Sequence, residues 1–269
     1  MTPLIDTHCH LQDAPFAADL EQVIERALAA GIGAMLVCGF DPASNLAALE
    51  MATTYPFVYP AIGCHPHDAD QMTPPALDLL AAQAASPAVL AVGEIGLDFY
   101  RDLSPRDVQI QALEAQLAIA VQVGKPVSVH SRDAEEAIFP HIAAYARRSH
   151  LSTSKRPFGV MHCFGGSLEQ ARAFVEIGFL VSIPCTITYP RNEATRRIAA
   201  ELPLESLVVE TDSPYLPPQP LRGKRNEPAH VRAAAEAIAA VRGIAVETVA
   251  RATTENAIRL FGIPLEVAA

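Results

Sequence analysis

Histidine and acidic residues recur in short, closely spaced motifs along the sequence, and such side chains bind divalent metals and transfer protons. The motifs occupy residues 6–10, 64–67, 94–98, 130–133, 162–163 and 210–213, and they hold most of the nine histidines. Histidines that are only satisfied by hydrogen bonds in a core would be scattered along the chain. The concentration therefore favours a metal site over a set of buried polar groups.

The number and spacing of these residues predict a centre with two metal ions. His8 and His10 lie two residues apart, so in an extended strand both side chains face the same side. Four imidazoles and two carboxylates exceed what a single four-coordinate ion needs. Two ions about 3.5–4 Å apart, bridged by a carboxylate, would use all six. The predicted ligands are His8, His10 and Asp212 for one ion, His130 and His162 for the other, and Glu94 as the bridge.

A centre of this composition is suited to the hydrolysis of a phosphoester. Neutral histidines leave Glu94 and Asp212 as the only negative ligands of two divalent ions, so the site attracts anions. The ions would acidify a water molecule for in-line attack on phosphorus. Asp212 is the predicted proton acceptor, and Glu94 holds the ions together, so these two are the predicted catalytic residues.

Several further residues are candidates for contacts with the substrate. His65 and His67 could bind phosphate or stabilise a turn, and Arg132 suits bidentate contact with phosphate, or an ion pair with a nearby acid. Tyr100 and Phe164 could stack on a base or pack under a loop. Glu210 has a different predicted role, since its carboxylate could orient one of the metal-binding histidines.

A basic cluster after the last predicted strand contrasts with the acidic balance of the chain. Arg222, Lys224 and Arg225 form this cluster, which is interpreted as a substrate contact or as a solvated loop. The chain carries 20 Lys and Arg against 30 Asp and Glu, a net charge of −10. That charge excludes a general affinity for nucleic acid or an anionic membrane. Any nucleic acid is therefore expected to bind weakly, through short or frayed ends.

Short apolar runs alternate with longer Ala-, Leu- and Glu-rich stretches, and this alternation defines the elements that must position the motifs. Strands are predicted at 4–8, 34–39, 57–62, 88–94, 126–130, 159–162, 179–183 and 207–211. Helices are predicted at 17–30, 44–55, 74–85, 105–123, 133–148, 167–177, 191–201 and 228–241. A further helix at 246–261 is expected to pack outside the barrel.

These elements predict a single-domain (β/α)8 TIM barrel over residues 1–269 with an extra C-terminal helix. Continuously apolar strands are typical of a parallel sheet that is covered on both faces. Eight such units match the barrel, whose active site lies at the C-terminal ends of the strands, where the motifs fall. An open doubly wound sheet is the alternative, but the glycine-rich turn usual after its first strand is missing.

The sequence has no basic leader and no apolar run of the ~18 residues that a membrane span needs. Its five cysteines include no Cys-x-x-Cys pair, which is typical of reduced thiols. A cytoplasmic protein without membrane contact, monomeric or weakly oligomeric, is expected.

Seven motifs, in chain order, resemble the TatD family of metal-dependent deoxyribonucleases, which are amidohydrolase-like barrels. They are DTHCHL, CHPH, GEIGLDFY, HSRDA, HCFGGS, ETDSPYL and RGKRNEP, and the resemblance extends from Ile5 to Phe261. It implies the same six metal ligands and a divalent metal, which on this ground is as readily Mg²⁺, whereas the imidazole-rich ligand set favours Zn²⁺ or Mn²⁺. The two ions predicted from the spacing are therefore Mg²⁺, Mn²⁺ or Zn²⁺. The resemblance also implies hydrolysis of DNA phosphodiesters, commonly from 3′ ends.

Three other functions remain open at this point. The same metal pair could hydrolyse an ester on a nucleic-acid conjugate such as D-aminoacyl-tRNA. A small-molecule amidohydrolase or lactonase would use a carboxylated lysine as its bridge, and Glu94 at the fourth strand counts against it. A scaffold without activity would tolerate missing ligands, whereas all six are present.

Overall fold

Eight parallel strands form one sheet in the computed structural model, which describes residues 2–153 and 156–265. The strands are β1 (Leu4–Cys9), β2 (Ile32–Cys38), β3 (Val58–Ile62), β4 (Ala91–Asp98), β5 (Val127–Arg132), β6 (Gly159–Met161), β7 (Phe179–Pro184) and β8 (Leu207–Glu210). The last strand returns to the first, where Cys9 bridges to Ser213 and the Thr7 hydroxyl donates to the carbonyl of Val209 over 2.9 Å. The predicted barrel is thus confirmed as a nearly closed one, and the open doubly wound sheet is excluded.

Helices alternate with the strands in the part of the chain that the structure describes. They are α1 (Leu20–Ala29), α2 (Pro42–Thr54), α3 (Pro74–Ala84), α4 (Arg106–Val123), α5 (Glu135–Arg148), α6 (Leu168–Glu176), α7 (Glu193–Glu201), α8 (Val231–Arg242) and α9 (Val246–Phe261). None of these helices is both long enough and apolar enough to cross a membrane.

The extra helix α9 covers the N-terminal end of the barrel, a position that the prediction of a helix packed outside the barrel leaves open. Ile5, Leu36 and Val208 point into the barrel and form one apolar cluster with Leu260 and Phe261 of α9. Burial of such side chains stabilises the fold by about 1.5–3 kcal/mol each. Among the described residues, apolar side chains therefore fill this end of the barrel, and a cavity opens at the C-terminal ends of the strands.

Strand β4 begins and ends later than the sequence predicts, and the shift decides which side chains reach the site. The apolar residues 88–90 precede the strand, which runs on through Gly93 and Gly96 to Asp98. A side chain on Gly96 would collide with the carbonyl of His130 on β5, so glycine is required there. Glu94 consequently lies inside the strand, and Asp98 lies at its open end.

Candidate metal centre

One carboxylate oxygen of Glu94 faces a group of donors from the first and last strands. Glu94 Oε2 lies 3.4 Å from Nε2 of His8 and 3.6 Å from Nε2 of His10. The two imidazole nitrogens are 3.2 Å apart, and His10 Nε2 is 3.5 Å from Oδ1 of Asp212. The Asp212 amide donates to the carbonyl of His8 over 2.9 Å, which joins the end of β8 to β1.

The other oxygen of Glu94 faces a second group of imidazoles. Glu94 Oε1 lies 3.0 Å from Nδ1 of His130 and 3.5 Å from Nε2 of His162. His65 joins this group, with its Nε2 also 3.5 Å from Oε1, although the sequence assigns His65 to substrate binding. The six predicted ligands therefore lie together, with Glu94 between two sets of donors.

The spacing of these donors fits divalent ions. Ligands at about 2.0–2.2 Å from a tetrahedral ion are about 3.3–3.6 Å from one another. The separations within the first group are 3.2–3.6 Å, and they mostly exceed the 2.7–3.2 Å of ordinary N–H···O hydrogen bonds. Triads able to hold an ion include the fully buried set His8, Glu94 and His162, which takes one histidine from each group. Two partly exposed sets are His8, His10 and Asp212, and His65, Glu94 and His130. The residues present thus fit the metals.

Electrostatics keep the carboxylates of the site ionised. Burial favours the neutral form of Glu94, but the surrounding imidazoles outweigh it and hold its pKa well below the usual range. The pKa of Asp212 is likewise lowered against the effect of burial, by the hydrogen bond from His10. Burial also acts to lower the pKa of His162, yet the carboxylates of Glu210 and Glu94 raise it to about 10. The two carboxylates are thus in the form that binds a cation, whereas an ion bound by His162 must displace a proton from its imidazole.

Acceptors behind the imidazoles fix their orientation. The carbonyl of Cys38 lies 2.8 Å from Nδ1 of His10, and Glu210 Oε1 lies 3.1 Å from Nδ1 of His162. Both histidines therefore turn Nε2 towards Glu94. Partners of this kind hold ligand histidines in one tautomer and position, and the predicted role of Glu210 agrees with this geometry.

Asp98 is a residue of the site that the sequence interpretation missed. Its Oδ2 lies 2.8 Å from Nε2 of His67 and 3.3 Å from Nε2 of His130. Its Oδ1 accepts hydrogen bonds from the backbone amides of Tyr100 and Arg101. Asp98 thus directs Nδ1 of His130 towards Glu94. Asp98 lies four residues after Glu94 on the same strand, and this even spacing puts both side chains on one face. That spacing is the sequence signal that could have predicted Asp98 as a site residue.

A cavity of about 820 Å³ opens over the centre, within the range of about 300–1,000 Å³ for ligand pockets. Two arginines, Arg101 and Arg132, lie in its wall together with His65 and His67. The guanidinium of Arg132 lies 3.9 Å from the centroid of the Tyr100 ring. Among the described residues, neither arginine forms an ion pair.

The basic cluster that follows the last strand, Arg222, Lys224 and Arg225, is not part of this wall. Arg225 donates to both carboxylate oxygens of Asp19 over 2.7 Å, and Arg222 lies over the ring of Tyr189 at 5.0 Å. Lys224 also lies outside the residues that line the cavity. Arg132 thus lies where a substrate bound at the metal centre would contact it. Arg222, Lys224 and Arg225 do not.

The nearly closed barrel, with a cluster of histidines and carboxylates at the C-terminal ends of its strands, defines a metal-dependent hydrolase. The family model described as TatD related DNase matches residues 5–262, and the chain belongs to this family.

Three relatives illustrate the similarity. The chain is 40% identical over 260 residues to the "Uncharacterized metal-dependent hydrolase YabD" of Bacillus subtilis (strain 168), covering 97% of this chain and 99% of that one. It is 36% identical over 265 residues to the "3'-5' ssDNA/RNA exonuclease TatD" of Salmonella typhimurium, covering 97% and 99%. The crystal structure of YjjV, a TatD homologue from Escherichia coli K12, superposes with a TM-score of 0.89 at 34% identity, covering 97% and 98%.

Metal removal is expected to lower the thermal stability of the protein. Ions that bind only the folded chain stabilise it by about 2.7 kcal/mol at a hundred times Kd, which corresponds to a shift in Tm of about 5–10 °C for a protein of this size. Scanning calorimetry of chelated and Mn²⁺-reloaded protein measures the shift. Glu94→Gln is the control and is expected to lose most of it, whereas equal Tm values for chelated and reloaded wild-type protein would contradict metal binding.

Proposed function

We propose that this protein hydrolyses phosphodiester bonds of DNA, as an exonuclease that acts on single-stranded or frayed ends and uses two divalent ions. The observation that carries the proposal is the position of the Glu94 carboxylate, whose two oxygens each face a separate group of donors. A single carboxylate shared in this way can hold two ions about 3.5–4 Å apart, the separation found in two-metal hydrolases of phosphoesters. Homologues named as ssDNA/RNA exonucleases support the choice of substrate.

Each ion has a distinct set of proposed ligands. They are His8, His10 and Asp212 for the first ion, His130, His162 and His65 for the second, and Glu94 for both. Divalent ions held there would neutralise charge on the phosphate and acidify water. Asp98 and Glu210 keep the imidazoles turned towards Glu94, so the donors are in place before the substrate enters.

Asp212 is the proposed proton acceptor. Its Oδ1 is turned to His10, which leaves Oδ2 to accept a proton from the attacking water. The residue has φ of 56°, in the left-handed region, and its amide is held by the carbonyl of His8. Strained backbone of this kind persists at functional sites when the surroundings fix it. The Asp212 carboxylate is therefore ionised and in position to accept the proton without a change in the backbone.

The cavity wall offers cationic and aromatic groups to a nucleic-acid strand. Arg101 and Arg132 keep their guanidinium donors available, although the chain as a whole is acidic. Tyr100 supports Arg132 and is 60% exposed, so it can also stack on a base. Phe164 cannot do so, because it is buried beside Phe174. Phosphate contacts are therefore assigned to the two arginines of the wall.

Replacement of Arg132 by alanine is expected to raise KM for a single-stranded oligonucleotide by about 10–100-fold, since hydrogen bonds to charged groups contribute about 1.5–3 kcal/mol. The slope of log affinity against log salt is expected to fall by about 0.7, the value for one phosphate contact on a single strand. Steady-state kinetics measure KM, and binding titrations at several salt concentrations measure the slope. Arg225→Ala is the matched control, and an equal effect of the two substitutions would contradict the assignment.

The proposed activity is tested with a 5′-labelled single-stranded oligonucleotide and protein that has been chelated and reloaded with Mg²⁺, Mn²⁺ or Zn²⁺. We expect products shortened stepwise from the 3′ end, with slower cleavage of blunt duplex. A D-aminoacyl-tRNA is assayed in parallel as the alternative ester. Hydrolysis of that ester by protein that leaves the oligonucleotide intact would overturn the nuclease proposal.

A further inference from the structure

The thiol of Cys163 lies beside the metal centre, in the wall of the cavity. A donor atom of His162, the Cys163 sulfur and a carboxylate oxygen of Asp212 all lie within 4.8 Å of one another. This third group is distinct from the two that face Glu94, although it shares one residue with each. It is the only one of the clusters found among the described residues that contains sulfur.

Cys163 differs from the other cysteines in what its sulfur contacts. Cys9, Cys38, Cys64 and Cys185 are buried, and each thiol donates to a backbone carbonyl. No such acceptor faces the Cys163 sulfur within the described parts of the chain. Its backbone has φ of 44° and its amide donates to Glu210 Oε1 over 2.7 Å, so the residue is held in place. The sulfur thus lies within 4.8 Å of donor atoms of Asp212 and His162, without a hydrogen bond of its own among the described residues.

We propose that Cys163, His162 and Asp212 form a third site, which binds a soft divalent ion such as Zn²⁺, Cd²⁺ or Co²⁺ through the thiolate. As the metal–sulfur bond forms, the thiol proton is released to the solvent. Because this site takes His162 from the second proposed ion and Asp212 from the first, its occupancy inhibits hydrolysis. The inference rests on the proposed metal centre and not on the choice of substrate.

The chemistry of the three donors supports this assignment. Thiolate and imidazole together select Zn²⁺ and softer ions, whereas carboxylate and water suit Mg²⁺ and Mn²⁺. A tetrahedral ion with sulfur at about 2.3 Å and nitrogen or oxygen at about 2.0–2.2 Å spaces its ligands about 3.3–3.7 Å apart. Contraction of the group by about an ångström reaches that spacing. Burial raises the pKa of the Cys163 thiol, but a bound divalent ion deprotonates a coordinating thiol outright.

Titration of the chelated wild-type protein with Co²⁺ tests the site directly. We expect a thiolate-to-cobalt charge-transfer band in the near ultraviolet, and we expect Cys163→Ser to abolish it. Cys64→Ser is the matched control, because its thiol donates to the carbonyl of Asp68 and lies outside the cavity wall; it should keep the band. A band that persists in Cys163→Ser would overturn the proposal.

The same titration separates failure of this site from failure of the metal centre. Bound Co²⁺ that shows ligand-field bands without a charge-transfer band would refute the thiolate site alone. If no Co²⁺ is retained after dialysis, the metal centre itself is refuted, and the third site with it.

With Mn²⁺-loaded protein, half-inhibition by Cd²⁺ is expected to need at least about tenfold more Cd²⁺ in Cys163→Ser. Equal half-inhibitory concentrations of Cd²⁺ for the wild type and Cys163→Ser would also contradict the proposal.

Discussion

Glu94→Gln is expected to lower kcat/KM for oligonucleotide hydrolysis by at least about a thousandfold. The amide keeps the size of the side chain but loses the charge and one of the two oxygens that face the donor groups. Loss of metal assistance removes several kcal/mol of transition-state stabilisation, and each 1.36 kcal/mol is a factor of ten. Steady-state kinetics at saturating Mn²⁺ measure the effect.

Glu135→Gln is the control for this substitution. Glu135 is another carboxylate in the cavity wall, but it belongs to neither donor group. Its replacement is expected to leave kcat/KM near the wild-type value, and circular dichroism checks that both variants fold. Activity of Glu94→Gln within tenfold of the wild type would refute a bridging role.

Asp212→Asn is expected to lower kcat by about 10²–10⁴-fold, the range for loss of a general base. The amide nitrogen or oxygen of asparagine cannot take up the proton of the attacking water as the carboxylate does. At saturating Mn²⁺, which keeps the first ion bound although Asp212 is also one of its proposed ligands, KM is expected to change little, because the arginines of the cavity wall are untouched. Single-turnover kinetics separate the chemical step from binding.

Asp68→Asn serves as the matched control for Asp212→Asn, since Asp68 lines the same cavity away from the donor groups. It is expected to keep the wild-type kcat. If Asp212→Asn instead raises KM while kcat stays unchanged, Asp212 binds substrate and another group accepts the proton.

The barrel could be predicted from the sequence because its strands are buried on both faces and read as apolar runs. The six ligands could be predicted because they follow those runs, and the C-terminal ends of parallel strands meet at one face. His8 and His10 illustrate this, since two-residue spacing on one strand is enough to place both side chains beside Glu94.

Other parts of the site depend on contacts that spacing does not contain. Glycines usually indicate turns, so the two glycines of β4 led to a predicted strand that ends at residue 94. In the structure the strand continues to Asp98. His65 reaches Glu94 only through the path of the loop that follows β3. Arg225 is close to the site in sequence but is held by Asp19, which lies more than 200 residues away. Tertiary pairing decides these positions.

The acidic net charge does not contradict a nucleic-acid substrate. A charge of −10 limits non-specific affinity, whereas the cavity wall presents Arg101 and Arg132 without acidic partners among the described residues. Affinity for strand ends is therefore expected to depend on this one cavity and on its ions.

The most direct test of the two-ion centre is an anomalous difference map from crystals grown with Mn²⁺. We predict two peaks about 3.5–4 Å apart, one on the side of Glu94 that faces His8 and His10 and one on the side that faces His130. A single peak at saturating Mn²⁺, or two peaks that do not share Glu94, would contradict the account.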